Sequence, residues 1–241
     1  MQKEAWTWSS GRHPGAARLV RWGHYGMPVL VFPTAGGDCE EIERFQLIAA
    51  LDALLGTGRL KVYSIDGTGV RGWLSGRPPA ECVRLQEEYA QFVATDVLER
   101  IRADCHDERI EPLLAGLSLG AASALQALCR HPELFRGAVC VSGVFDLAGR
   151  FGGVPAAQVG AFAPETVLAT SSGPQRDRLR ERALLLASGT GELETPDESR
   201  RMAAALAAGA IPQRLLLWGT DRGHNWSTWC ATLPGLLAER V

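Results

Sequence analysis

A serine that is to act as a nucleophile needs a presented hydroxyl, a base within hydrogen-bond reach, and donors for the oxyanion that forms on its target. This chain offers a candidate for each. Gly116-Leu117-Ser118-Leu119-Gly120 fits G-x-S-x-G, the pattern of a serine on a sharp turn from strand to helix. Glycines on both sides let the backbone pass close to its neighbours. The motif is short enough to arise by chance, so its surroundings decide. The apolar stretch 112–115 leads in as a strand, and 119–130 follows as a helix rich in small residues. Such a turn lifts the Ser118 hydroxyl above the sheet edge and aims the Leu119 N–H, at the helix N-terminus, toward a developing oxyanion. The simpler reading, Ser118 as the cap of a buried helix, uses the same geometry but leaves the rest of the constellation unexplained.

In strand–turn–helix serine enzymes the chain order is serine, acid, histidine. Among the five histidines, His13, His24, His106, His131 and His224, only His224 follows the last apolar run. It lies in Gly219-Thr220-Asp221-Arg222-Gly223-His224-Asn225-Trp226, a loop before the final helix. His131, in Arg130-His131-Pro132, ends a helix, where an imidazolium favours the dipole, and reads as structural. The acid is expected after the run 182–189, where 189–198 holds Glu192, Glu194, Asp197 and Glu198. Thr195 with Glu198 reads as a capping box, Pro196 suits the first helical position, and Asp197 falls in the first turn. That leaves Glu192 and Glu194, with Asp146 as a more distant candidate. A second oxyanion donor is expected from Phe32-Pro33-Thr34-Ala35-Gly36-Gly37-Asp38. Its small residues let backbone approach a ligand, and Ala35 is placed as the donor, with Gly36 beside it.

These residues need a scaffold, and the apolar pattern supplies one. Runs at 17–23, 27–33, 60–66, 111–118, 137–143, 182–189 and 213–219 are mostly Val, Leu, Ile or Ala. Several are too continuously apolar for half-exposed strands and suit a parallel sheet covered on both faces. Between them, 38–55, 79–104, 119–130, 199–208 and 229–239 carry helical spacing. The alternation predicts an α/β fold: one mostly parallel, doubly wound sheet with helices on both faces. A single domain over 1–241 is expected, with a short cap-like insertion at about 144–180. That stretch and 67–79 read as the long loops beside the site. Trp73 would offer apolar contact to a substrate there, and Arg71 or Arg77 would meet a carboxylate.

Composition narrows the partners. A net charge of −2 with no basic run excludes nucleic acid as the expected partner. No stretch approaches the roughly 18 apolar residues of a membrane span. The start, MQKEAWTWSS, lacks the apolar core of a signal peptide, which predicts a soluble, cytoplasmic protein. Cys39, Cys82, Cys105, Cys129, Cys140 and Cys230 form no C-x-x-C pair and read as buried, reduced thiols, not as a zinc site.

With these residues in view, the chain resembles the esterase group of the α/β-hydrolase superfamily, near the esterase D and polyhydroxybutyrate-depolymerase-like proteins. The resemblance runs from about Met27 to the end. It rests on Val29-Leu30-Val31-Phe32-Pro33-Thr34-Ala35-Gly36-Gly37, Val62-Tyr63-Ser64-Ile65-Asp66, Gly116-Leu117-Ser118-Leu119-Gly120-Ala121, Cys129-Arg130-His131-Pro132-Glu133-Leu134-Phe135 and Gly223-His224-Asn225-Trp226-Ser227-Thr228-Trp229. It implies an α/β-hydrolase fold and hydrolysis of small-molecule carboxylic esters by a Ser–acid–His triad, with no cofactor. An aromatic–Glu pair in similar proteins favours Glu194, although Leu193 replaces the aromatic here. Asn225 likewise stands where His-Asp-Trp is expected. Glu194 also directly precedes Thr195, so the helix beyond it would hold its backbone, whereas Glu192 between Gly191 and Leu193 has less to anchor it. Two other uses of the same framework are an acyltransferase and a non-catalytic binding module. The intact Ser118 and His224 argue against the latter.

Overall fold

The computed structural model describes residues 2–13, 15–67, 74–147, 164–171 and 173–241. Its strands are β1 (Lys3–Ser9), β2 (Ala16–Trp22), β3 (Met27–Phe32), β4 (Leu60–Ile65), β5 (Leu113–Leu117), β6 (Gly137–Val141), β7 (Ala183–Ser188) and β8 (Arg214–Leu217). They form one eight-stranded sheet in the order β1-β2-β4-β3-β5-β6-β7-β8. The contacts β1–β2 and β2–β4 are antiparallel and all others parallel. Strands β2 to β8 fall on the expected runs. The run 17–23 is the exception to parallel pairing, so β3 opens the parallel core. β1 carried no apolar run: its residues are exposed except for half-buried Trp6 and Trp8, which face inward, as on an edge hairpin strand.

The continuous apolar runs exist because both faces of the central strands are covered. Leu30, Leu114, Ala138, Cys140, Leu184 and Leu186 pack on one face, while Val29, Val31, Leu113, Ala115, Val139 and Leu185 pack on the other. Each fully buried Leu or Val contributes about 1.5–3 kcal/mol of transfer free energy, so a slip of one residue would cost little on these strands through hydrophobicity alone. Register is set instead by packing shape and by the special residues at the strand ends.

The segment 38–55 departs from expectation. It is not one helix but three turns, α1 (Glu41–Arg44), α2 (Leu47–Ala50) and α3 (Asp52–Gly56), with Gln46 at φ 66° between the first two. Ile42, Leu47, Ile48, Leu51, Leu54 and Leu55 are all buried on one core. Ile42 and Leu47 lie five residues apart, out of phase in a straight 3.6-residue helix, so the helix breaks to bury both. Phe45, within this span, is 46% exposed. Before α1, the Asp38 carboxylate accepts the Glu40 N–H at 2.8 Å and pairs with Arg44.

The expected helix at 79–104 is α4 (Pro79–Phe92), a π-turn (Val93–Val97) and α5 (Leu98–Cys105) in unbroken succession. Next come α6 (Leu119–Arg130), α7 (Pro164–Thr170), α8 (Gly173–Arg180), α9 (Pro196–Ala208) and α10 (Trp226–Ala238). The stretch 144–180 is therefore partly helical, and its middle, 148–163, lies outside the described residues. Pro196 does open α9, but the expected capping box does not form, since the Thr195 side chain makes no capping bond. The Glu198 carboxylate turns away and accepts the N–H groups of Phe145 and Asp146 at 2.6 and 2.8 Å. A tertiary partner outcompetes the local one because the segment after β6 would otherwise leave those amides buried and unpaired.

Candidate active site

Ser118 joins β5 to α6 at φ 58° and ψ −124°, a backbone state that costs a non-glycine residue about 1–3 kcal/mol and persists only where the surroundings enforce it. They do so here. The Ser118 N–H donates to the Val141 carbonyl at 3.1 Å, and its carbonyl accepts from Ala121 and Val144 at 3.1 and 3.2 Å. The flanking glycines are fixed by space. A Cβ on Gly116 would stand 2.1 Å from the Gly120 carbonyl oxygen, and one on Gly120 would stand 2.5 Å from those of Phe32 and Pro33. Both contacts are with backbone, which cannot rotate aside as a side chain does. Gly120→Ala is therefore expected to destabilise the protein by about 3 kcal/mol, at the upper end for overpacking, and to displace the loop after β3. Denaturant unfolding checks this; a variant within about 0.5 kcal/mol of wild type would contradict the close approach.

His224 brings its Nε2 to 2.9 Å from the Ser118 Oγ. Its ring stands edge-on to Trp229, centroids 5.1 Å apart at 81°. Two docked loops carry it. The His224 N–H donates to the Glu192 carbonyl at 3.0 Å, and the Gly191 N–H donates to the Arg222 carbonyl at 3.0 Å. Added Cβ atoms on Gly189 and Gly191 would meet the Arg222 carbonyl oxygen at 2.0 and 2.6 Å. The loop after β7 is thus docked on the loop after β8, which links the backbone of the acid segment to that of the histidine. Asn225 caps α10, its Oδ1 accepting the Thr228 N–H at 3.0 Å, a task an Asp at this position would perform equally.

Of the carboxylates considered, the structure brings Glu194 to the histidine. Its Oε2 lies 3.7 Å from the His224 Nδ1, and its side chain is 1% exposed. The Ser142 hydroxyl donates to Oε1 at 2.5 Å and the Ser188 hydroxyl to Oε2 at 3.1 Å. Ser142 in turn accepts the Trp229 indole N–H at 3.0 Å. Burial alone would raise the Glu194 pKa, but His224, Ser142 and Ser188 outweigh it and hold the carboxyl below its ordinary value. The 3.7 Å spacing is longer than an N–H···O bond and makes an ion pair only when the ring is protonated. Such contacts commonly tighten only once substrate is bound. Glu192 is exposed and meets His224 through its backbone carbonyl alone among the contacts described. Asp146 is half-exposed and lies 3.9 Å from Arg201.

The loop after β3 forms a tight turn: the Gly37 N–H donates to the Thr34 carbonyl at 3.3 Å, and Gly36 takes φ 74°, where glycine is at home. Ala35 is exposed on it. Leu119 opens α6, so its N–H belongs to the first turn, whose amides have no intrahelical acceptor. Arg77 pairs with Glu81 one helical turn along, so its guanidinium is engaged on the surface. Arg71 and Trp73 lie outside the described residues. His131 caps the end of α6, where burial lowers its pKa against the pull of Glu133, which favours the neutral ring over the imidazolium expected there. No disulfide joins any of the six cysteines; Cys105 and Cys230 are half-buried and the others buried. Among the described residues no group of three His, Cys, Asp or Glu could hold a metal, and no helix is long and apolar enough to cross a membrane.

Sequence reasoning passed over Ser142 and Ser188. Each is a polar residue closing an otherwise apolar strand at its carboxyl end, where α/β sheets place their sites, and that was the available signal.

Solved structures of the same fold cover nearly the whole chain. A ferulic acid esterase superposes with a TM-score of 0.76 at 16% identity, over 98% of this chain and 96% of its own. An S-formylglutathione hydrolase from Agrobacterium tumefaciens gives 0.72 at 13%, over 98% and 93%. A fluorophosphonate-binding serine hydrolase of Staphylococcus aureus gives 0.68 at 13%, over 99% and 97%. No curated protein sequence matches. The sequence model of the family described as "Putative esterase" matches residues 70–239; that span includes Ser118, Glu194 and His224, and the chain belongs to this family of ester-hydrolysing enzymes with the α/β-hydrolase fold.

Proposed function

We propose that the protein is a serine esterase acting on small-molecule carboxylic esters through an acyl-enzyme on Ser118. The 2.9 Å contact between His224 Nε2 and Ser118 Oγ, made at a strained strand–helix turn, carries this reading. The Ser118 oxygen attacks the ester carbonyl and its proton passes to His224 Nε2. The negative charge that develops on the carbonyl oxygen is met by the N–H groups of Leu119 and Ala35. Collapse of this adduct breaks the bond to the alkoxy group, which leaves with the proton from His224. Water then repeats the sequence on the acyl-serine: it gives a proton to His224, attacks the carbonyl, and releases the acid as Ser118 recovers its proton. Glu194 holds the His224 ring and stabilises the imidazolium formed in each half. No cofactor takes part. Six cysteines without a disulfide support a reducing compartment such as the cytoplasm.

The test is covalent labelling by a fluorophosphonate with mass-spectrometric mapping, alongside turnover of p-nitrophenyl esters of increasing acyl length. Labelling confined to Ser118, with a burst of p-nitrophenol on at least one ester, is the expected result. A folded protein that takes up no label and turns over no ester of the panel would overturn the proposal in favour of a binding module.

A further inference from the structure

The turn that carries Ala35 has little of its own to hold it. Gly36 and Gly37 have no side chains to pack, and Ala35 is exposed. Yet both ends are gripped. At the far end the Gly67 N–H donates to the Gly37 carbonyl, and the Asp66 carboxylate accepts the Cys39 N–H, both at 2.9 Å. At the near end stands Glu41, the first residue of α1 and only 5% exposed. Its Oε2 accepts the Thr34 N–H at 2.9 Å, and its Oε1 accepts the Thr34 hydroxyl. A Cβ on Gly37 would lie 2.1 Å from the same carboxylate, so the glycine there makes room for the glutamate. A carboxylate is costly to bury unless hydrogen-bonded, and here its bonds go to one residue of the turn.

That residue controls the donor. The Thr34 carbonyl accepts the Gly37 N–H, and in a trans peptide the N–H on the other side of the bond points the opposite way. The Ala35 N–H is therefore turned out of the loop, on the peptide that follows Thr34, while Glu41 holds Thr34 itself through the N–H of the preceding peptide and the hydroxyl. We infer that Glu41 is a positioning residue for the oxyanion site: by holding both Thr34 donors it sets the direction of the Ala35 N–H before substrate arrives. The inference rests on the serine-esterase reading above. A ground-state carbonyl asks little of this donor, whereas the oxyanion asks much. Loosening the turn should thus lower kcat and leave KM nearly unchanged.

Glu41→Gln tests this. The amide accepts one Thr34 donor and turns its own N–H₂ against the other. The expected result is a kcat loss of about 10–100-fold with KM within about 3-fold. A trifluoromethyl ketone, which forms an anionic hemiketal on the serine, should lose affinity by the same factor as kcat/KM. Thr34→Val keeps the backbone bond and the side-chain shape, removes only the hydroxyl, and should cost about 3–10-fold in the same two readouts; it serves if Glu41→Gln fails to fold. If wild type is labelled at Ser118 while both folded variants keep kcat and inhibitor affinity, Glu41 is structural only and the esterase reading stands. A fall in thermal stability without the matched loss of inhibitor affinity overturns it likewise. If wild type itself takes no label, the esterase reading and this inference fall together.

Discussion

Ser118→Ala is expected to lower ester turnover by about 10⁴–10⁶-fold, the range found when a triad nucleophile is removed, and to leave a folded protein with no fluorophosphonate label. The fold should survive because the alanine keeps the Cβ, and the contact described for the lost hydroxyl is the one with His224. Its backbone strain survives as well, since φ stays near 58°. Ser118→Gly separates the two roles. Glycine relieves a strain of about 1–3 kcal/mol and gives back about 0.4–1 kcal/mol through the freedom of the unfolded chain, so relief wins. Both variants should be inactive, and Ser118→Gly should be the more stable by about 1 kcal/mol. Denaturant unfolding reads the second effect and p-nitrophenyl ester turnover the first. Retention by Ser118→Ala of more than about 1% of the wild-type kcat would mean that another group attacks the ester.

What the sequence disclosed and what it hid follow from where each residue finds its partners. The central strands were legible because burial on both faces leaves them no polar positions, so each reads as an unbroken apolar run. β1 was hidden for the opposite reason: an edge strand with one wet face alternates, and Lys3, Glu4 and Thr7 dilute Trp6 and Trp8 below the signal. Ser118 and His224 were legible from a local pattern and from chain order. The brace at Glu41 was not, because its partner is defined by a loop conformation that no periodicity reports. Glu198 misled in the same way: its spacing from Thr195 satisfied a local rule, but amides 52 and 53 residues earlier in the chain claimed it. The break at Phe45 and Gln46 was visible in principle, since the five-residue step from Ile42 to Leu47 does not fit one helical face. Carboxylates in particular resist local reading, because a buried one is placed by its donors and those come from elsewhere in the fold.

Glu194→Gln is the variant on which the acid assignment turns, with an expected kcat loss of about 10²–10⁴-fold. The shape is kept and the charge removed. Ser142 and Ser188 both donate to the carboxylate, and an amide has only one oxygen to receive them. Whichever hydroxyl is refused must rotate, and the N–H₂ is free to face His224 Nδ1. An amide donor there favours the tautomer with its proton on Nε2, which cannot accept the Ser118 proton. Glu192→Gln and Asp146→Asn should stay within about 2-fold of wild type, because neither carboxylate meets the histidine. A crippled Glu192→Gln beside a normal Glu194→Gln would move the acid two residues back and keep the mechanism. Stability gives an independent check of sign. The folded Glu194 pKa lies below its ordinary 4.5, so the carboxylate's contribution is fully present above that value and fades as pH falls through the folded pKa. Wild type should therefore exceed Glu194→Gln in unfolding free energy at pH 7, and the gap should narrow on acidification below about pH 4.5. A gap that widens in acid would mean that the Glu194 carboxylate is held protonated, which no acid partner of an imidazolium can be.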